Sequence, residues 1–207
     1  MSRPRQYYVI GAGGHARVIL SAIWSLGDQV VALLDDNSEK HGMEIAGVPV
    51  ICPKDAQLAN PSTTGVIGIG DNQIRKQIAT RFSFDWTAVV HPSALVDPSV
   101  VIGRGSVVMA GAIIQAGTQV GEHCIINTGA TVDHDCRIGD FCHVAPGVHL
   151  AGHCELESGV LLGIGSCMVP AVRVGEWATI GAGAAVVNDV PAGVVAVGVP
   201  ARPRFDL

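Results

Sequence analysis

From Val90 to Val186 an aliphatic residue recurs at every sixth position without a break: Val90, Val96, Ile102, Val108, Ile114, Val120, Ile126, Val132, Ile138, Val144, Leu150, Leu156, Leu162, Met168, Val174, Ile180 and Val186. Four residues after each comes a small or β-branched residue, among them Ala94, Ser106, Ala112, Thr118, Ala130, Ala178 and Val190. Neither the two-residue period of a flat strand nor the helical period produces this recurrence. Six residues can form one side of a triangular coil. In that coil the ladder residue and the small residue two before it point inward, and a turn follows. Glycines directly after ladder residues, at Gly103, Gly121, Gly139, Gly163, Gly175 and Gly181, suit such turns. The seventeen units predict five to six coils of three sides each, stacked as parallel strands.

The pattern before the ladder is different. Tyr7 to Ile10 is a short apolar run, followed by Gly11-Ala12-Gly13-Gly14-His15-Ala16 and then by Val18, Ile19, Ala22, Ile23 and Leu26 at helical spacing. A second run, Val30 to Leu34, ends in Asp35-Asp36, and a third, Val66 to Ile69, ends in Gly70-Asp71-Asn72. A helix through Ile74, Ile78 and Phe82 is expected next. Residues 1–85 therefore read as a Rossmann-like α/β half-domain and residues 86–207 as a β-helix domain. The absence of a Gly/Ser linker at Trp86 to Ala88 predicts that the two pack together.

Gly11, Gly13 and Ala16 fit G-x-G-x-x-A between a predicted strand and a predicted helix, where backbone N–H groups can approach phosphate oxygens. The same turn also serves as a plain strand-to-helix connection. The half-domain is too short for a full dinucleotide fold, so a nucleotide-sugar suits it better than NAD.

Composition narrows the classes. With 48% hydrophobic residues in 207, the chain can bury a substantial core, and its net charge of -5 includes no basic stripe for nucleic acid. No stretch has the length of a membrane span or signal, so a cytoplasmic setting is expected, with no membrane partner. Of six cysteines, Cys124, Cys136, Cys142 and Cys154 occupy the small ladder positions. No C-x-x-C pair occurs, so they read as core hydrophobes and no metal site is expected from them.

With the ladder facing inward, chemistry falls to the turns and outward positions. His134 lies in a turn, next to Asp135, and its counterparts one coil away are Ala116 and Gly152, which leaves a groove beside the imidazole. A histidine on such a surface is often only polar surface. An adjacent carboxylate, however, fixes an imidazole's tautomer and raises its basicity, as a general base requires. His143 and His149 take outward positions, and His123 and His153 take turns.

Tyr8 to His15, Leu34-Asp35-Asp36, Ile69 to Asn72, Asn127-Thr128 with Val132 to Cys136, and Gly198 to Ala201 together give a resemblance over nearly the whole chain. The chain resembles the hexapeptide-repeat sugar acyltransferases, in particular the N-acetyltransferases of nucleotide-linked 4-amino-4,6-dideoxy sugars and the related sialic acid O-acetyltransferases. The resemblance implies a left-handed β-helix, a homotrimer, and acetyl-CoA held between adjacent β-helices. It implies His134 as general base with Asp135 as its tuning carboxylate, where relatives often carry Glu. His143, Ile164 and Ala182 match acetyl-CoA contacts, and Gly152, beside His134, is expected to contact the cofactor as well. Gly13, Gly14, His15, Asp35, Asp36, Gly70, Asp71 and Asn72 match the nucleotide-sugar site. Alternatives are an O-acetyltransferase of a free sugar, a nucleotide-sensing trimer without activity, and an NAD-binding redox protein.

Overall fold

The computed structural model describes residues 3–56 and 64–204. The first part is a sheet built from β1 (Gln6–Ile10), β2 (Gln29–Leu34), β3 (Glu44–Ile45), β4 (Val48–Ile51), β5 (Thr64–Ile67) and β6 (Asp85–Trp86), in the order β3-β4-β2-β1-β5-β6. All pairs are parallel except the β3–β4 hairpin. Helix α1 (Gly14–Ser25) joins β1 to β2 and buries Ala16, Ile19, Leu20, Ala22 and Ile23; of the stripe expected from the spacing, Ile19, Ala22 and Ile23 are buried while Val18 and Leu26 are exposed. After β1 the chain first builds outward through β2 and β4, then returns to the other side of β1 as β5. The strand order thus reverses at β1 and β5, which opens a crevice beyond their carboxyl ends. Gly11 to Gly14 line one side of it and Gly68 to Asn72 the other.

Helix α2 (Asn72–Arg81) departs from the pattern expected of it. Ile78 is buried, but Ile74 is 45% exposed and the other buried residues are Asn72 and Arg75. The helix turns a polar face toward the second domain, and the reason lies in what Arg75 meets there.

The second domain is a three-sided parallel β-helix. Each side pairs with the one eighteen residues on: Val107 with Ile125 on a first face, Ile113 with Thr131 on a second, and Gln119 with Arg137 on a third. From Val89–Val90 to Val195–Val197 the strands complete six coils, closed by an antiparallel strand at Arg202–Arg204. Ladder residues from Val108 to Val186 are buried and form one core with the small residues between them. Fully burying one such Val, Ile or Leu contributes about 1.5–3 kcal/mol. Cys124, Cys136, Cys142 and Cys154 are fully buried in that core, and each donates its S–H to a carbonyl of the following coil.

The first face is not open to solvent. Val89, Val107, Met109 and Ile125 share a core with Tyr7, Ile19, Ile23 and Leu33, so the two domains pack as the missing linker predicts. Arg75 crosses this junction with 1% exposure. It donates to the carbonyls of His123 (2.7 Å), Ile69 (3.2 Å), Gly70 (3.1 Å), Phe141 (2.7 Å) and Cys142 (3.2 Å), and to Asn72 Oδ1 (2.7 Å). A cation this buried is retained because every donor finds an oxygen. Among the described residues no helix is long and apolar enough to cross a membrane.

Candidate active site

His134 stands in the turn from the second face to the third. Its Nδ1 lies 2.9 Å from Asp135 Oδ2, and its backbone N–H donates to Asp133 Oδ1 at 2.7 Å. The carboxylate accepts from Nδ1–H, which leaves the lone pair on Nε2. Asp135 holds the imidazole pKa above its ordinary value, mainly through this hydrogen bond. Gly152 makes the groove: a Cβ there would stand 2.6 Å from His134 Nε2 and Cε1. Half of the His134 side chain is exposed, so its free nitrogen is reachable. His153, one coil on, packs edge-on against the same ring with centroids 5.0 Å apart, and its Nε2 is 3.9 Å from Asp135 Oδ2.

A second cluster forms where the crevice of the α/β domain meets the first face. His143 projects outward from its strand and is covered by the first domain. Its Nδ1 lies 3.2 Å from the Gly70 carbonyl and its Nε2 3.1 Å from Asn127 Nδ2. A carbonyl on one nitrogen and an amide N–H on the other define a neutral ring protonated at Nδ1. Burial, with Arg75 adding to it, pushes the His143 pKa down to about 4. His15, in the first turn of α1, lies 6.2 Å from His143 ring to ring. Burial, then His143 and Arg75, lowers it to about 4 as well, and its Nε2 is buried without a partner.

Gly13 caps α1 without a side-chain hydrogen bond, no acidic residue stands in the first turn, and a Cβ at Gly13 or Gly14 would meet nothing within 4 Å. The helix start is therefore open, with backbone N–H groups free for an anion. Asp35 accepts from Ala12 N (2.9 Å), Asn37 N (2.9 Å) and Lys40 Nζ (2.8 Å). Burial works to raise its pKa, but Lys40 and these N–H groups hold it below the usual range. Asp36 forms a two-pronged pair with Arg81 at 2.6 and 3.0 Å.

Two residues expected at the sugar site have their side chains engaged elsewhere. Asp71 caps α2 by accepting from Ile74 N at 2.8 Å, and Asn72 donates to the Gly159 and Val160 carbonyls at 3.0 and 3.2 Å. Ile164 and Ala182 are exposed and stacked in adjacent coils, at the turn from the first face to the second. The structure thus gathers the predicted residues into three places: the crevice with His15, Gly70 and His143, the turn with Ile164 and Ala182, and the turn with His134, Asp135 and Gly152. Sequence reasoning passed over Arg75, the role of Asn127, and His153. Two signals were available: the spacing of Asn72 and Arg75, three apart on one helical face, and the eighteen-residue offset between Asp135 and His153.

Two family models match separate parts of the chain. The PglD N-terminal domain family matches residues 6–82, and the bacterial transferase hexapeptide family of six repeats matches residues 99–134 and 117–152. The acetyltransferase domain of PglB from Neisseria gonorrhoeae FA1090 superposes with a TM-score of 0.90 at 40% identity, over 97% of this chain and 100% of that one. PerB from Caulobacter crescentus, solved with CoA and GDP-perosamine, superposes with a TM-score of 0.90 at 38% identity, over 96% of this chain and 97% of that one. UDP-N-acetylbacillosamine N-acetyltransferase of Bacillus subtilis (strain 168) is 40% identical over 104 residues, 47% of this chain and 48% of its own length. This match spans about half the length of that curated relative. The chain belongs to the hexapeptide-repeat sugar acyltransferases, among the N-acetyltransferases of nucleotide-linked amino sugars.

Proposed function

We infer that the protein transfers the acetyl group of acetyl-CoA to the 4-amino group of a nucleotide-linked 4-amino-4,6-dideoxy sugar, in the assembly of bacterial surface glycans. The observation that carries this reading is the His134–Asp135 pair, with Nδ1 held at 2.9 Å and Nε2 left open over Gly152. The sugar amine attacks the thioester carbonyl, His134 Nε2 takes its proton, and the CoA thiolate leaves. A backbone N–H in the cleft steadies the oxyanion. Cys124, Cys136, Cys142 and Cys154 are buried, which supports direct transfer over an acyl-cysteine formed on any of these four.

The nucleotide sits in the crevice, its phosphates at the start of α1 beside Gly13, Gly14 and His15. Asp35 and Asp36 stand at the end of β2, within reach of a ribose or base, and Gly70 closes the opposite wall. His143, Ile164 and Ala182 hold acetyl-CoA.

Within one chain the second face separates the Ile164–Ala182 turn from the His134 turn. A complete site therefore needs a neighbouring copy to set one turn against the other, which supports a homotrimer of left-handed β-helices with acetyl-CoA between them. The likeness to PerB, solved with CoA and GDP-perosamine, supports the same pair of substrates.

The test is release of CoA thiol from acetyl-CoA against UDP-, GDP- and dTDP-linked 4-amino sugars and free sialic acid. Turnover with one nucleotide-linked amino sugar is expected. Turnover with sialic acid alone would make the protein an O-acetyltransferase, and no thiol release with any acceptor would overturn the reading.

A further inference from the structure

We propose that His134, Asp135 and His153 together form a binding site for one zinc-class divalent cation, and that the bound cation reversibly stops transfer. The three side chains occupy one corner of the β-helix on successive coils. Asp135 and His153 are equivalent turn residues eighteen apart, with φ of 56° and 60°, in a column that continues through Gly117 and Ala171. This left-handed conformation recurs in turns along the β-helix, as at His123, Phe141 and Trp177. Sharing one backbone conformation, the two side chains leave the corner in the same direction.

The neighbours make room for this arrangement. A Cβ at Gly117 would lie 2.5 Å from Asp135 Oδ1, and one at Gly152 would lie 2.6 Å from the His134 ring. One donor atom from each of the three residues falls within 4.8 Å of the others. Asp135 Oδ2 is 2.9 Å from His134 Nδ1 and 3.9 Å from His153 Nε2. Tetrahedral zinc with bonds of 2.0–2.1 Å separates its ligands by about 3.3 Å, a value these two distances bracket. Small side-chain rotations complete the site.

Two imidazoles and one carboxylate are a donor set that favours zinc, cobalt, nickel or copper over magnesium or calcium. All three side chains are more than half exposed, so an ion can enter and a water can take the fourth position. The inhibitory part rests on His134 acting as base. A cation on Nδ1 leaves the proton on Nε2, and the imidazole then has no lone pair for the amine.

The test uses the full chain titrated with Co2+ alone and read by visible absorption. The wild type is expected to bind one Co2+ per chain with the intense bands of a tetrahedral site, displaced by Zn2+. His153→Ala keeps the His134–Asp135 pair, and Ala171 already carries alanine at this turn position. That variant is expected to lose the bands, and His153→Asn to weaken them. Zn2+ is expected to lower wild-type transfer by more than about tenfold, with recovery on chelation, and to leave His153→Ala active. Equal Co2+ bands in His153→Ala, or none in the wild type, would overturn the site. Binding at the site without inhibition would uphold it and overturn His134 as the base.

Discussion

His143 and His134 are imidazoles of the same ladder, nine residues apart, treated in opposite ways. His143 is covered by the α/β domain, both of its nitrogens are bonded, and its pKa is pushed down to about 4. His134 is exposed, only Nδ1 is bonded, and Asp135 raises its pKa. The first ring is held neutral and fixed, which suits positioning. The second is basic with one open nitrogen, which suits proton transfer. A residue type thus takes its role from what occupies its second nitrogen and from the surrounding dielectric.

The contrast can be broken at several points. The largest effect is expected from His134→Ala, which should lower turnover with the amino-sugar substrate by about 10² to 10⁴ while folding is kept. Near wild-type turnover would remove His134 from the chemistry. Arg75→Met acts on the other side of the comparison, because it strips five carbonyls of their buried donor. A loss of about 3–5 kcal/mol in urea unfolding is expected, and a loss under 1 kcal/mol would mean that the junction does not depend on it.

The neutral histidines give a pH effect of definite sign. His15 and His143 fall from 6.5 unfolded to about 4 folded, so the unfolded chain binds more protons between those values. The stability their neutrality provides is complete above pH 6.5 and declines as pH falls toward 4. The loss is on the order of 3 kcal/mol for each histidine. Urea midpoints at pH 7 and 4.5 read the difference, and His143→Asn should reduce it. A smaller effect is expected from Asp135→Asn, which should move the acid limb of kcat/KM to lower pH, because the hydrogen bond from Asp135 is what raises the His134 pKa. An unmoved limb would show that Asp135 does not tune the base.

Much of this organisation is legible in the sequence because it is periodic. The ladder assigns each residue to the core, a turn or an outward face, and from that follow the buried cysteines and the glycine beneath His134. What the ladder does not encode is how the first domain sits on it. His143 is outward by register, yet it is partly buried because the Gly70 turn and His15 of α1 lie against it. Arg75 looks like a solvent residue until the carbonyls of Phe141 and Cys142 meet it. Ile74, an expected core residue, is exposed because the polar face of the same helix is needed at the junction. Asp71 and Asn72 stand where a strand end presents side chains to a ligand, but helix capping and the domain junction engage their side chains. The eighteen-residue offset that sets Gly152 beneath His134 also sets His153 beside Asp135, so that neighbourhood is legible in the sequence.

The most direct measurement is the pH–rate profile of single-turnover transfer for the wild type, His134→Asn and His143→Asn. The wild type and His143→Asn should share an acid limb above the ordinary imidazole pKa, and His134→Asn should be slow and lack that limb. A limb kept in His134→Asn and lost in His143→Asn would reverse the roles of the two histidines and contradict the mechanism.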